Sequence, residues 1–66
     1  MKLTVNGDIQ EVPEGITVRA LLDRLELGRE RVAVEVNAVV IRRALHEEHR
    51  LAENDRVEIV TFVGGG

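Results

Sequence analysis

The chain contains no cysteine. That absence excludes disulfides, iron–sulfur clusters, thiolate zinc sites and cysteine nucleophiles, and thiol redox chemistry with them. Its one aromatic residue, Phe62, offers no platform on which bases could stack. Neither sign of charge dominates: nine basic and twelve acidic residues leave a net charge of −3, scattered along the chain rather than gathered in a basic stripe. Nucleic acid is therefore not an expected partner. The longest apolar run, Ala38-Val39-Val40-Ile41, falls far short of the ~18 residues that cross a bilayer, and no basic-then-apolar signal segment opens the sequence. No membrane association is expected, and the expected location is cytoplasmic.

What remains is a balance suited to one small soluble core. Sixty-six residues (7.4 kDa) are 44% hydrophobic and 32% charged, with eleven Val, seven Leu and four Ile. Lys2 to Val5 alternates at period two and runs into Asn6-Gly7-Asp8, whose residues tolerate the positive φ of tight hairpins. A three-residue loop would pair Val5 with Ile9 and keep Leu3, Val5 and Ile9 on one buried face, so that register is expected. Val12-Pro13-Glu14-Gly15 has Pro at the second position and Gly at the fourth, the preference of a type I turn. Thr17 is a candidate helix N-cap with Ile16 stapled to Leu21; Val18, Leu21, Leu22 and Leu25 then follow at i, i+3, i+4 and i+7. The spacing predicts about three helical turns, stopped near Leu27 by a left-handed Gly28.

Arg31 to Asn37 alternates again, Val32, Val34 and Val36 opposing Ala33 and Glu35. Val39 to Ile41 reads as a brief strand, Arg42 to Leu51 as an irregular crossover with a helical turn, Glu53-Asn54-Asp55 as a turn, and Arg56 to Val63 as a last strand. The order ββαβ(β)β, with one helix to cover one face, predicts an α+β fold of the β-grasp (ubiquitin-like) type: a mixed sheet of about four or five strands, the last beside the first. Residues 1–63 form the expected domain, and residues 64–66 a flexible tail.

Few residues could carry chemistry. His46 and His49 stand three apart around Glu47 and Glu48, whereas a helix-borne zinc pair needs i, i+4; both read as solvated surface, and no metal is expected. No histidine sits with an activatable serine, so no internal catalytic site is expected. The eight arginines read as a solvated face. Gly64-Gly65-Gly66 differs: glycine packs nothing and loses the most freedom on ordering, so the segment reads as a frayed end or as a tail threaded through a channel too narrow for any Cβ. In the last strand Val57 and Ile59 oppose Val60 and Phe62, so covering the first pair exposes the second as a docking patch.

Four stretches together resemble a known family: Pro13-Glu14-Gly15-Ile16-Thr17-Val18 before Leu21-Leu22; Asn6-Gly7; Ala33-Val34-Glu35-Val36-Asn37; and Asp55 through Gly66. The chain is similar along its whole length to the ubiquitin-like sulfur carriers of thiamine (thiazole) biosynthesis, the ThiS family. It departs from them at Ile41-Arg42-Arg43, where members often have Val-Pro-Arg. The resemblance implies a protein co-substrate rather than an enzyme, with no cofactor bound. An E1-like adenylyltransferase of the ThiF type would use ATP and Mg²⁺ to adenylate the Gly66 carboxylate. A sulfur-transfer enzyme would supply the sulfur of a thiocarboxylate, and a thiazole synthase of the ThiG type would consume it. Gly64 and Gly65 would be the threaded tether, and Val60 and Phe62 the docking residues. Three alternatives share the features: a carrier like the small subunit of molybdopterin synthase, a ubiquitin-like modifier joined through Gly66 to a target lysine, and a binding module with an inert tail.

Overall fold

The computed structural model describes residues 1–62; Val63–Gly66, and the expected glycine tail with them, lie outside the described residues. Five strands and one helix follow the predicted order: β1 (Lys2–Val5), β2 (Asp8–Glu11), α1 (Val18–Arg24), β3 (Val32–Val36), β4 (Val39–Ile41) and β5 (Arg56–Thr61), with a 3₁₀ turn at Arg43–Leu45 in the crossover. They make one sheet in the order β2-β1-β5-β3-β4. β1 runs parallel to β5, and every other neighbouring pair is antiparallel. This mixed sheet with one helix is the β-grasp fold.

Alternation assigns the faces. Leu3 and Val5 of β1, Val34 and Val36 of β3, Ile41 of β4, and Val57 and Ile59 of β5 join Val18, Leu21 and Leu22 of α1 in one cluster, completed by Val12, Ile16 and Leu51 from the connections. Burying each such side chain fully stabilises the fold by about 1.5–3 kcal/mol. Thr17 caps α1 as expected, its Oγ1 accepting the Ala20 amide at 3.1 Å, and Ile16 and Leu21 are both buried. The helix is shorter than its periodicity predicts. Its last turn closes when the Glu26 amide donates to Asp23 (3.0 Å) and the Leu27 amide to Leu22 (2.8 Å), the paired bonds of a Schellman motif. Glu26, at φ 62°, takes the left-handed position assigned to Gly28, whose φ is not positive. Ending there lets Leu27 turn back onto the core beside Leu22, an apolar contact that a third turn would forfeit.

Two turns also differ from expectation. The first hairpin has a two-residue loop, Asn6 at φ 51° and Gly7 at φ 88°, pairing Val5 with Asp8 and Thr4 with Ile9. Two consecutive left-handed residues match the twist of the strands, and that local geometry prevails over burial of Ile9, which is 70% exposed. Val12 enters the core instead. The turn after β2 is shifted by one residue: Ile16 donates to Pro13 (3.3 Å), leaving Gly15 third, with φ 73°. A positive φ at the third position demands glycine, whereas a type I turn would not use it.

The crossover from β4 to β5 lies against the start of α1. His49 accepts the Val18 amide and His46 the Arg19 amide, each at 2.9 Å, so two of the orphan donors of the first helical turn end on crossover carbonyls. His46 is not solvated: its ring is buried (6% exposed), and its Nε2 donates to the Ile41 carbonyl at 2.9 Å. A carbonyl can only accept, so the proton sits on Nε2. His46 is a packing residue that ties the crossover to β4.

Candidate functional site

With α1 on one face, the other face of the sheet has no cover among the described residues. Its rows follow from the register. Ile9, Thr4 and Arg56 form one row across β2, β1 and β5; Glu58, Glu35 and Val40 form the next across β5, β3 and β4; Val60 and Ala33 form a third. Beyond them the Phe62 amide donates to the Arg31 carbonyl at 2.9 Å, which extends the pairing of β5 to the last described residue.

Both predicted docking residues lie open. Val60 is 57% and Phe62 58% exposed, while Val57 and Ile59 of the same strand are buried. Alternation along β5 thus produces the patch: four apolar positions cannot all face one helix, and two are left outside. Ile9 and Val40 widen the exposed apolar surface toward either edge. The remaining candidates, Gly64, Gly65 and Gly66, lie outside the described residues.

Rigidity is what the fold contributes to this site. β5 is the central strand, flanked by β1 and β3. Two asparagine side chains lengthen its ladders. Asn6 donates from Nδ2 to the Ile59 carbonyl (3.1 Å) and accepts the Ile59 amide at Oδ1 (2.7 Å). Asn37 accepts the Arg56 amide at Oδ1 (2.9 Å) and donates from Nδ2 to Asp55 (2.9 Å). The strand that leads to the glycines is therefore pinned at its first residue, Arg56, and again at Ile59.

Two site features escape a reading of the sequence. Glu35 and Glu58 lie directly opposite each other on the open face. Each is the acidic residue of an alternating strand, and only the unpredicted β3–β5 register brings them together. They line a shallow groove with Ala38 and Arg56. Asn6 and Asn37 read as turn and strand-end residues, and nothing in their spacing announces their bonds to β5. Among the described residues no group of three or more His, Asp or Glu could hold a metal ion. No helix among them is long and apolar enough to cross a membrane.

Residues 3–66 match the ThiS family. The sulfur carrier protein ThiS of Bacillus subtilis is 37% identical over 65 residues, covering 97% of this chain and 98% of that protein. A thiazole synthase of Paramagnetospirillum magneticum is 36% identical over all 66 residues, but the chain spans only 20% of that protein's length. The crystal structure of a thiamine biosynthesis protein (ThiS) from Geobacter metallireducens superposes with a TM-score of 0.84 at 36% identity, each chain covered completely.

Proposed function

Because this chain belongs to the ThiS family, we propose that it is a sulfur carrier of thiamine biosynthesis: a co-substrate whose Gly66 carboxylate is activated, loaded with sulfur and then relieved of it in thiazole formation. The observation that carries the reading is the match along residues 3–66, which runs through the last strand into Gly64-Gly65-Gly66.

A resting carboxylate is a poor acyl donor. In the proposed cycle a carboxylate oxygen attacks the α-phosphorus of ATP within an E1-like, ThiF-type enzyme, with Mg²⁺ on the phosphates, and pyrophosphate leaves. A persulfide carried by a sulfur-transfer enzyme then attacks the acyl carbon and AMP departs with the bond electrons; a thiol such as cysteine cleaves the resulting acyl disulfide, leaving the thiocarboxylate on Gly66 and a mixed disulfide on the enzyme. A ThiG-type thiazole synthase takes that sulfur, and the 36% identity between this chain and a stretch making up 20% of a protein named thiazole synthase supports the pairing. The chain's own contribution is threefold. Val60 and Phe62 dock on the partner, β5 supplies a rigid base, and Gly64 and Gly65 present a backbone without side chains to a narrow channel. The described residues form no enclosed site around a carboxylate, so protection of the acyl-adenylate from water falls to the enzyme that surrounds it.

The test is an intact mass. The protein is incubated with ATP, Mg²⁺, an E1-like adenylating enzyme, a cysteine desulfurase and cysteine, beside a version lacking Gly66. The expected gain is one oxygen replaced by sulfur, in the full chain alone. No gain, with an adenylating enzyme active on its own carrier, would overturn the reading in favour of a modifier or a binding module.

A further inference from the structure

We propose that Asn6-Gly7 is a site of spontaneous deamidation that the fold holds shut: Asn6 is spared while its side chain grips β5 and is converted to aspartate or isoaspartate when the chain opens. The chain has three asparagines, Asn6, Asn37 and Asn54, followed by glycine, alanine and aspartate respectively. Deamidation requires the backbone nitrogen of the following residue to attack the asparagine Cγ. Glycine has no Cβ to obstruct that approach, so Asn6 is the most reactive of the three wherever the chain is free. The Gly7 nitrogen gives its proton to solvent base and bonds to Cγ. Nδ2 takes up a proton and leaves as ammonia with the bond electrons, and a cyclic succinimide remains. Water then adds at either ring carbonyl and breaks its bond to nitrogen, which yields aspartate or isoaspartate.

In the folded domain both ends of the Asn6 side-chain amide are committed to Ile59: Nδ2 donates to its carbonyl at 3.1 Å, and Oδ1 accepts its amide at 2.7 Å. The backbone is held as well, since the Asn6 amide donates to the Val57 carbonyl at 2.9 Å and both loop residues sit at positive φ. Ring closure must swing Cγ onto the Gly7 nitrogen, which breaks both side-chain bonds and leaves part-buried groups of Ile59 short of partners. The product does not fit the place the asparagine leaves. An ionised aspartate only accepts, so it has no hydrogen for the Ile59 carbonyl and sets an anionic oxygen near it instead. Isoaspartate routes the main chain through Cβ, one atom longer, in a two-residue loop whose register pairs Val5 with Asp8. Conversion is therefore one-way: a domain that opens for long enough to react loses its first clamp on β5.

The experiment incubates the whole chain at one mildly alkaline pH, in buffer and in urea concentrated enough to unfold it, and follows each asparagine by peptide mapping that separates it from aspartate and isoaspartate. In urea, Asn6 should convert at least about tenfold faster than Asn37 or Asn54, and Gly7→Ala should abolish that lead. In buffer, conversion of Asn6 should fall at least about tenfold below its rate in urea, because only opened molecules react. Protein converted in urea and returned to buffer should melt below the wild type, as should Asn6→Asp. A lead for Asn37 or Asn54 in urea would remove Asn6 as the site. Rates for Asn6 within about twofold of each other in buffer and urea would overturn protection by the fold. Converted protein that regains the wild-type melting temperature would overturn the one-way step.

Discussion

The two hairpins solve one problem with different residues. Asn6-Gly7 joins β1 to β2, and Asn37-Ala38 joins β3 to β4; both are two-residue loops with both residues left-handed. In each, the asparagine uses its own amide and its side chain to grip β5: the Asn6 amide reaches the Val57 carbonyl at 2.9 Å, and the Asn37 amide the Arg56 carbonyl at 2.7 Å. The second residue separates them. Gly7 has no Cβ to strain at φ 88°, whereas Ala38 holds one at φ 70°. The comparison teaches that the asparagine at the first position is the functional part of the turn, and that glycine at the second is a convenience worth about 1 kcal/mol.

Substitutions can break that equivalence. Asn6→Ala should have the largest effect, about 2–3 kcal/mol of lost stability, because it removes two part-buried hydrogen bonds to Ile59 and a residue suited to the left-handed region. Urea denaturation measures it, against a total of roughly 3–10 kcal/mol for a domain of this size. Asn37→Ala should cost less, about 1–2 kcal/mol, since its bonds to Arg56 and Asp55 are exposed; equal losses at the two sites would mean that burial does not distinguish the clamps. Gly7→Ala should cost about 1 kcal/mol from backbone strain alone, because an added Cβ would meet no atom within 4 Å. The smallest effect belongs to Ala38→Gly. Relief of strain is partly offset by the entropy of a freer unfolded chain, and a net gain of up to about 0.5 kcal/mol is expected in the same titration.

How far the sequence revealed all this depends on how local each determinant is. Alternation in β3 and β5 and the spacing of Val18, Leu21 and Leu22 located the core, because burial imposes its period directly on the chain. Thr17 was legible as a cap because its partner, Ala20, lies three residues away. The register of β2 was not. An edge strand buries little, and there the twist of a two-residue loop outweighs one isoleucine. Gly28 attracted the helix end on composition, while the core contact of Leu27 set it at Glu26. His46 carries a polar label and a buried role, which only the closure of the crossover discloses. For the candidate site, Val60 and Phe62 followed from alternation alone. The Glu35–Glu58 pair required knowing which strands are neighbours, and the connection between β3 and β5 passes through β4 and the whole crossover.

The position of β5 has a mechanical consequence. Tension applied to β5 along its axis would run at right angles to the β3–β5 hydrogen bonds and across the slanted bonds from β1. Such a load is shared by every bond of both ladders at once, together with the side-chain bonds of Asn6 and Asn37, rather than opening them one after another from an end. A force along β5 would thus meet the domain in shear, its most resistant direction.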